Sequence, residues 1–389
     1  MLSPTYLDHA ATSPMRPTAI TAMLPFFSGR FGNPSGSHRF ARDARLAVDE
    51  ARDRVAAALG VLPGEVVFTG CGTESDNAAI VGAMSTGGTA VCAAAEHHAV
   101  LHPVEHLNGR VVRVDGWGRV DLDDLSAALG PEVAIVSVMA VNNEVGSIND
   151  LAAVSKVVRE RAPQALLHTD AVQAACWLDL RGIAPHVDLM SLSAHKFGGP
   201  KGVGVLTVRD GVRLAPILMG GGQERDRRSG THNVAGIVGL AEALCISDVD
   251  RDRENERLTG LRERLVDGIT SQLDGVLETV PRDMKIAGSA HLCFSGIESE
   301  ALLYLLDEAD VCASAASACA SGAMEPSHVL AAMGVEREWT RGALRMSLGY
   351  TTSQADVDRA VDVVVDAVTR LRRADSVRAG TAARGVAST

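Results

Sequence analysis

Lysine is rare in this sequence, and this restricts where amine chemistry can occur. Of the 37 basic residues only four are lysines, namely Lys156, Lys196, Lys201 and Lys285. A lysine amine can form a Schiff base with a carbonyl compound, whereas an arginine guanidinium stays protonated and cannot. Covalent chemistry that uses an amine is therefore limited to these four positions.

The segment around Lys196 has the composition of a ligand-binding turn. The sequence Ser191-Leu-Ser-Ala-His-Lys-Phe-Gly-Gly-Pro-Lys-Gly follows a predicted strand, and its glycines let the backbone approach a ligand closely. Ser193 and His195 place polar side chains beside Lys196. A partly desolvated lysine has a lowered pKa and becomes a nucleophile. From this segment alone, a surface lysine in a hairpin turn is an equally good interpretation.

Two other segments have features of a cofactor site. Asp170 ends the predicted strand 166–170, and ligands bind at that edge of open α/β sheets. A carboxylate there can keep a pyridinium nitrogen protonated. The alternative interpretation is that Asp170 caps a helix. The sequence Gly70-Cys-Gly-Thr-Glu predicts a strand-to-helix turn, whose free N–H groups favour a phosphate. Many such turns bind nothing, so this signal is weak by itself.

Cys319 stands alone among small residues, in Ala313-Ser-Ala-Ala-Ser-Ala-Cys-Ala-Ser-Gly-Ala-Met-Glu-Pro-Ser. Small residues predict a mobile loop, which can carry a group between sites, and a thiolate attacks sulfur well. A buried small hydrophobic residue is the alternative interpretation of Cys319. The segment lacks the large apolar neighbours that would bury it.

Together these segments resemble those of the fold-type I pyridoxal-phosphate enzymes, and more narrowly the cysteine desulfurases of the NifS/IscS-like group in the class V aminotransferase family. The resemblance covers about residues 5 to 372. Its motifs follow one another along the chain: Tyr6-Leu-Asp-His-Ala-Ala-Thr-Ser-Pro, Gly32-Asn-Pro-Ser, Gly72-Thr-Glu-Ser-Asp-Asn, Glu96-His-His-Ala-Val, Val141-Asn-Asn-Glu-Val-Gly, Asp170-Ala-Val-Gln, Ser193-Ala-His-Lys, Gly220-Gly-Gly-Gln-Glu-Arg, Arg228-Ser-Gly-Thr and Arg345-Met-Ser-Leu-Gly. Because so many motifs occur in the same order, the interpretation of Lys196 as the cofactor-binding lysine is favoured over that of a surface lysine.

The resemblance implies roles for the cofactor-binding residues. Lys196 forms a Schiff base with pyridoxal 5′-phosphate, Asp170 pairs with the pyridine nitrogen, and Gln173 bonds the ring hydroxyl. His97 stacks on the ring face and takes part in catalysis, whereas His98 is an ordinary helix-start residue. The remaining cofactor contacts are Gly72, Thr73, Ser193 and His195 at the phosphate, and Asn142.

The resemblance also implies contacts to the substrate and to a second subunit. Arg345 clamps the substrate carboxylate in a bidentate pair, and a surface salt bridge is its alternative. Asn142 and Asn33 are further substrate contacts. Thr231 reaches the phosphate of the neighbouring subunit's cofactor, so a homodimer is expected.

The Cys319 segment specifies the implied reaction. It resembles the active-site loop of the NifS/IscS-like group through Ser317-Ala-Cys319, with Ala316 where the family usually has glycine. The enzyme would convert L-cysteine to L-alanine, and Cys319 would carry the sulfur as a persulfide. The persulfide would pass to an acceptor protein such as an iron–sulfur scaffold or a thiolation enzyme. Selenocysteine lyase remains an alternative, as does another class V reaction, either transamination or β-elimination at a C–S bond.

Composition excludes several other classes of function. The formal net charge of −11 disfavours nucleic acid and anionic lipid as partners. The seven cysteines are scattered without a CxxC pair, so neither a disulfide framework nor a metal site is expected. Reduced thiols of this kind predict a cytoplasmic location. The first residues do not resemble a signal peptide. The longest apolar run, residues 133–141, is too short to cross a bilayer.

The pattern of elements predicts an α/β fold. Seven predicted strands alternate with helices between about residues 66 and 208, which indicates a mostly parallel seven-stranded sheet flanked by helices. The expected domains are an N-terminal arm that packs with the small domain (1–15), a large cofactor-binding domain (16–250) and a smaller α+β domain that carries the Cys319 loop (251–373). Residues 374–389 are rich in small and polar residues and are predicted to be a disordered tail.

Overall fold

Strands and helices alternate along most of the chain. A computed structural model describes residues 4–85, 87–315 and 327–386, and for residues 375–386 only the backbone. Its strands are β1 (Thr5–Tyr6), β2 (Val66–Thr69), β3 (Thr89–Ala93), β4 (Arg110–Val112), β5 (Val133–Ser137), β6 (Leu166–Asp170), β7 (Leu189–Ser193), β8 (Gly204–Val208), β9 (Val276–Glu278), β10 (Ser289–Phe294), β11 (Val311–Cys312) and β12 (Ala343–Ser347). Its α-helices are α1 (Pro17–Met23), α2 (Arg39–Leu59), α3 (Gly72–Met84), α4 (His98–His106), α5 (Leu122–Ala128), α6 (Leu151–Arg161), α7 (Leu180–Ile183), α8 (Val234–Thr270), α9 (Ser299–Glu308), α10 (His328–Ala332), α11 (Arg337–Thr340) and α12 (Gln354–Val386).

The central sheet has seven strands in the order β2-β8-β7-β6-β5-β3-β4. From β7 to β4 every neighbouring pair is parallel, and β8 is antiparallel to both of its neighbours. Alternate residues of β2 enter two different apolar clusters, with Phe68 in one and Val67 in the other. Since side chains alternate between the faces of a strand, both faces of the sheet are covered. The predicted mostly parallel seven-stranded sheet is confirmed.

Helix α2 shows how the sequence sets the bounds of an element. The His38 side chain accepts a hydrogen bond from the Ala41 N–H (3.3 Å) and caps the start. The buried face consists of small and branched apolar residues such as Ala44, Val48 and Val55. Gly60 ends the helix with a φ of 69°, in the left-handed region that glycine adopts without strain.

Helix α8 contributes to two hydrophobic cores. Its residues up to Leu244 pack with the central sheet, whereas Leu258, Leu265 and Ile269 pack with the second cluster. The change of partner falls in the charged stretch between these residues. This packing supports the proposed division of the chain near residue 250, within a single continuous helix.

The second core lies beneath a three-stranded sheet in the order β12-β10-β9, with α9 and α12 packed on it. The N-terminal residues join this part of the protein, because β1 pairs in parallel with β11. Leu7 adds two backbone hydrogen bonds, donating to Cys312 (2.8 Å) and accepting from Ser347 (2.7 Å). The segment that follows Leu7 is thereby held beside the carboxyl edge of the central sheet.

The backbone of residues 374–386 continues α12. The Ala and Arg residues of this segment are strong helix formers. The disordered tail expected from the composition of residues 374–389 stays a prediction. Within the described residues, no helix has both the length and the apolar character needed to cross a membrane.

Candidate active site

A cavity of about 310 Å³ lies at the carboxyl ends of β6 and β7. This is the edge at which open α/β sheets bind their ligands. The cavity brings together nine of the residues predicted from the sequence: Gly72, Thr73, His97, Asp170, Gln173, Ser193, His195, Lys196 and Arg345. These residues come from five separate segments of the chain, so the fold assembles a site that no single segment contains.

Lys196 follows β7 in a single 3₁₀ turn, Ala194–Lys196. Its Nζ donates hydrogen bonds to the carbonyl oxygens of Ala10 (2.7 Å) and Ala11 (3.0 Å). Burial lowers the pKa of Lys196 to about 8, with a further contribution from the nearby Arg345 charge, while Asp170 and Asp8 oppose the shift. A substantial fraction of the amine is therefore neutral, and nucleophilic, near physiological pH.

Asp170 is the last residue of β6 and is buried. Its Oδ1 accepts a hydrogen bond from the Val172 N–H (2.8 Å) in the turn that follows β6, and no helix begins in residues 171–177, so Asp170 is not a helix cap. Burial raises the pKa of Asp170 to about 6, and the Val172 hydrogen bond and the Lys196 charge limit that rise. The carboxyl is thus ionised at neutral pH at the floor of the cavity.

His97 precedes α4, and its side chain caps that helix. The His97 Nδ1 accepts a hydrogen bond from the Ala99 N–H (3.1 Å), so in the neutral ring the proton lies on Nε2. Burial, followed by the Lys196 charge, lowers the pKa of His97 to about 4. The neutral ring can therefore stack on a bound aromatic group and keeps one N–H donor available.

Helix α3 begins at the cavity, which places its free N–H groups beside Gly72 and Thr73. A Cβ at Gly72 would come within 2.8 Å of the Val172 Cγ2, so a side chain does not fit at this position. His195 also lines the cavity, and its Nδ1 is hydrogen bonded to the Thr12 Oγ1 (3.1 Å). The arrangement is suited to an anionic group at the helix N-terminus.

Arg345 lies on β12 and is buried at the wall of the cavity. Its Nη2 donates to the Asp8 Oδ1 (2.8 Å), and its Nη1 donates to the Asn143 carbonyl (2.9 Å). Its Nε is buried and has no hydrogen-bond partner among the described residues. Because the Nε is buried, a substrate carboxylate that binds Arg345 would have to share Nη2 with Asp8.

Asn142 lines a second cavity, which shares Gln173, Lys196 and Arg345 with the first. Its amide oxygen accepts from the N–H groups of Glu144 (2.9 Å) and Val145 (3.0 Å), and its amide nitrogen donates to the Ala95 carbonyl (2.9 Å). The side chain thus also holds a turn. The adjacent Asn143 lines both cavities, and its buried Oδ1 is unpaired in the described structure. The contact of Asn142 with cofactor and substrate stays a prediction.

Gln173 lines the cavity as predicted, and its amide donates to the Ala10 carbonyl (2.8 Å). Asn33 is exposed and does not line the cavity; its side chain accepts from the Ser35 N–H (3.0 Å) in a local turn. Thr231 is also exposed and lies outside the cavity of its own chain. Cys319 lies outside the described residues. No group of three or more metal-ligating side chains occurs within them.

These residues fit pyridoxal phosphate. Asp170 is ionised where a pyridine nitrogen would need a carboxylate, and Lys196 supplies an amine that is easily made neutral. The space opposite Gly72, at a helix N-terminus, suits a phosphate. The cavity therefore offers a partner to the ring nitrogen, the aldehyde and the phosphate of this cofactor.

Comparison with known proteins agrees with this arrangement. The aminotransferase class-V family model matches residues 5–360. An IscS-like cysteine desulfurase from Mycobacterium tuberculosis is 45% identical over 391 residues, covering 96% of this chain and 99% of the relative. A cysteine desulfurase IscS from Dictyoglomus turgidum is 41% identical, covering 94% and 95%. A solved structure described as a NifS-like protein superposes with a TM-score of 0.88 at 34% identity, covering 94% of this chain and 99% of that one. Because the family model matches nearly the whole chain, this protein belongs to the aminotransferase class-V family, whose cofactor is pyridoxal phosphate.

Proposed function

We propose that this protein is a cysteine desulfurase, which removes sulfur from L-cysteine and releases L-alanine. The observation that carries the proposal is one cavity that brings together Lys196, Asp170, His97 and Arg345. Ser314, which is hydrogen bonded to Arg345, lies on the part of the chain that leads to Cys319. The relatives described as cysteine desulfurases align with this chain over nearly their full length, which supports the same substrate here.

The cofactor would be held by side chains from several elements. We assign the Schiff-base amine to Lys196, the ring nitrogen to Asp170, the ring hydroxyl to Gln173 and the ring face to His97. The phosphate would bind at the start of α3, together with Thr73, Ser193 and His195. Bound pyridoxal phosphate supplies an electron sink that stabilises negative charge at the substrate α-carbon.

Lys196 would also move the proton of the substrate. Once the substrate amine has replaced it, the Lys196 Nζ is a free amine whose lowered pKa allows it to accept the α-proton near neutral pH and to return it. Asp170 would hold the proton at the ring nitrogen meanwhile. We assign the substrate carboxylate to Arg345, with Asn142 and Asn143 beside it.

Cys319 would accept the sulfur. Its thiolate attacks the substrate sulfur, so that an S–S bond forms as the Cβ–S bond breaks, and the electron pair of the broken bond stays with the carbon that becomes the alanine methyl group. Ser314 exchanges two backbone hydrogen bonds with Arg345 (3.1 and 2.7 Å), and five residues span at most about 18 Å. The described chain thus reaches Arg345 five residues before Cys319, which supports the assigned role.

The finer partners are part of the same proposal. A homodimer in which Thr231 contacts the neighbouring subunit's cofactor would give this exposed residue a function that its own chain does not provide. An acceptor protein, such as an iron–sulfur scaffold or a thiolation enzyme, would take the persulfide from Cys319. A thiol that must stay reduced fits the cytoplasmic location inferred from the cysteine pattern.

The test is a cysteine-to-serine exchange. In Cys319→Ser we expect the bound cofactor to change its absorbance on addition of L-cysteine, but neither persulfide nor alanine to accumulate. Cys312→Ser, a half-buried thiol on β11 outside the cavity, is the matched control and should keep full activity. Persulfide on the protein is measured by mass spectrometry and alanine by chromatography. Full sulfur transfer by Cys319→Ser would overturn the role of Cys319, and pyruvate in place of alanine would overturn the assigned reaction.

A further inference from the structure

His9 is a buried histidine that the proposed mechanism does not use. It is 5% exposed and belongs to the N-terminal segment that runs beside the cavity. One of its ring nitrogens is hydrogen bonded toward the turn that carries Lys196, and the other toward the loop after β12, residues 348–353. The ring therefore lies between two parts of the protein that meet at the site.

The position of the His9 ring is fixed by close packing. The Tyr6 and Tyr350 rings contact it edge-on, at centroid distances of 5.1 and 6.3 Å. Gly349 lies against the same ring, because a Cβ at this position would come within 2.2 Å of the His9 Nδ1. No side chain fits there, so the glycine at the end of the Arg345-Met-Ser-Leu-Gly motif lets the loop pack directly against the histidine.

A chain of three hydrogen bonds runs through the His9 ring from the loop to Lys196. The Thr351 Oγ1 is 3.2 Å from the His9 Nε2, and the His9 Nδ1 is 3.2 Å from the Ser13 Oγ. The Ser13 Oγ in turn donates to the carbonyl oxygen of Lys196 (3.2 Å). Since the Ser13 N–H also donates to the His195 carbonyl (2.9 Å), the serine contacts this turn twice.

The direction of these hydrogen bonds is set at the Lys196 end. A carbonyl oxygen can only accept, so the single hydroxyl hydrogen of Ser13 points to Lys196 and the Ser13 oxygen must accept from His9. Burial lowers the pKa of His9 to about 4, so the ring is neutral and carries one proton. That proton lies on Nδ1, and Nε2 accepts from the Thr351 hydroxyl. Only one tautomer of the ring completes the chain.

We propose that His9 is a positioning residue, whose neutral ring links the loop after β12 to the backbone of Lys196 and so holds the lysine in place against the substrate site. The loop follows the strand that carries Arg345, to which we assigned the substrate carboxylate. The contact is made to the Lys196 backbone, so it stays in place whether the amine is bound to the cofactor or free. This role rests on the proposed function, and His9 acts through Lys196 alone.

Three substitutions of His9 separate the two arms of the chain. His9→Phe keeps a flat ring but removes both hydrogen bonds, His9→Asn keeps an N–H donor for Ser13, and His9→Gln keeps an oxygen acceptor for Thr351. A misplaced Lys196 impairs proton transfer more than substrate binding. In His9→Phe we therefore expect kcat for alanine formation to fall about tenfold or more, with KM for L-cysteine within about twofold of the wild-type value. His9→Asn should regain most of the lost kcat, and His9→Gln little of it.

The apoprotein provides two measurements that do not depend on turnover. Nitrogen NMR of histidine-labelled apoprotein should show the His9 proton on Nδ1, with the signal assigned by its absence in His9→Asn. Thr351→Val changes an exposed residue and should slow the uptake of pyridoxal phosphate about twofold to tenfold, the effect of one lost neutral hydrogen bond. Thr279→Val is the matched control and should leave the uptake rate unchanged, because the Thr279 hydroxyl is bonded to another buried histidine, His291 (3.1 Å), which is no part of this chain.

A double-mutant cycle tests whether the two arms act through the ring. Ser13→Ala and Thr351→Val together should slow uptake less than the product of their separate effects, by at least about twofold, because either substitution breaks the same chain. In the His9→Phe background this difference should vanish. If His9→Phe does not fold, as judged by circular dichroism, His9→Asn interrupts the Thr351 arm and provides the same comparison.

Three results would overturn this role of His9: a ring proton on Nε2, equal values of kcat in His9→Phe and His9→Asn, or a coupling between the two arms that persists without the ring. Each of them leaves the proposed function intact as long as the wild-type protein binds pyridoxal phosphate and releases alanine. Failure of the wild-type apoprotein to bind the cofactor would instead refute the proposed function itself.

Discussion

Lys196 combines two properties that a Schiff-base lysine needs. Its amine is buried enough for its pKa to fall to about 8, yet the carbonyl groups of Ala10 and Ala11 hold it in the cavity. Carbonyl oxygens orient an amine without the strong charge pairing that a carboxylate would impose. The lysine is thus positioned and remains available for exchange.

Lys196→Arg tests the need for an amine at this position. The guanidinium keeps the positive charge but cannot form a Schiff base, so we expect the visible absorbance of the bound cofactor to be lost. Alanine release should fall by about three orders of magnitude, within the range lost with a proton-transfer group. Lys201→Arg changes an exposed lysine of the same segment and should keep both. Cofactor absorbance that survives in Lys196→Arg would refute the assignment.

The lowered pKa of Lys196 predicts a pH dependence of cofactor uptake. The neutral amine is the reactive form, so the uptake rate of the apoprotein should rise with pH and level off above the pKa of about 8. Between pH 7 and pH 9 the rise should be roughly tenfold, with little change beyond. Stopped-flow absorbance after mixing with pyridoxal phosphate measures it. A rate that still rises tenfold between pH 9 and pH 10 would indicate a lysine of ordinary pKa.

At the residue scale, the sequence predicted chemistry better than orientation. The types and motif positions of Lys196, Asp170 and His97 pointed to the cavity they share. The turn held by the Asn142 amide oxygen and the unpaired Oδ1 of Asn143 distinguish the two adjacent asparagines, and both are properties of the folded backbone. His9 stood inside a quoted motif, but its hydrogen-bond partners become known only from the fold.

At the element scale, the short helix α10 anchors the chain that returns from the Cys319 segment. Ser327 caps this helix by accepting from the Leu330 N–H (3.1 Å), and its hydroxyl donates to the buried Glu144 carboxylate. His328 adds a hydrogen bond between its Nε2 and the Glu96 carbonyl (2.9 Å). Glu144 follows the asparagine turn at the cavity, so the end of the segment is fixed close to the site.

Ser327→Ala should weaken this anchor. It removes the helix cap and leaves a buried carboxyl without its donor, which together cost about 2 to 3 kcal/mol of the free energy of unfolding. We expect slower alanine formation with an unchanged cofactor spectrum, measured together with urea unfolding. Ser353→Ala removes the cap of α12, where the Ser353 Oγ accepts from the Asp356 N–H (3.2 Å), and serves as the matched control. Equal losses of activity in both variants would contradict a local role for the anchor.

Elements with strong periodicity were predicted well, and those shaped by tertiary contacts were not. The bounds of β6 agree with the predicted strand 166–170, because a compact apolar run defines them. The apolar run 133–141 forms a strand only from Val133 to Ser137, since the chain then turns toward the cavity, which Met139 lines. Helix α4 starts at His98, as expected for that residue, but its end could not be predicted because the helix is short and contains Pro103.

At the scale of the whole molecule, a buried network holds the segment that carries Thr231. Glu224 accepts two hydrogen bonds from Arg52 (2.6 and 2.9 Å), one from the Phe68 N–H (2.8 Å), and is hydrogen bonded to His232 (2.7 Å). Burial alone would raise the pKa of Glu224, but the bonds to His232 and Arg52 hold it at about 2. This network fixes a turn in which Glu224, Arg225 and Asp226 all have positive φ angles, and it presents Thr231 on the surface.

Mixed dimers test whether Thr231 serves the partner's cavity. Thr231→Ala alone should weaken cofactor binding about tenfold or more, through loss of one hydrogen bond to a phosphate, and Lys196→Arg alone should form no Schiff base. In a dimer of one Thr231→Ala chain and one Lys196→Arg chain, the cavity that has Lys196 receives an intact Thr231 from its partner. Random exchange should therefore restore wild-type affinity to about half of the cavities that contain Lys196. If Thr231 acted within its own chain, mixing would restore none, so a titration of the exchanged sample with pyridoxal phosphate decides between the two arrangements.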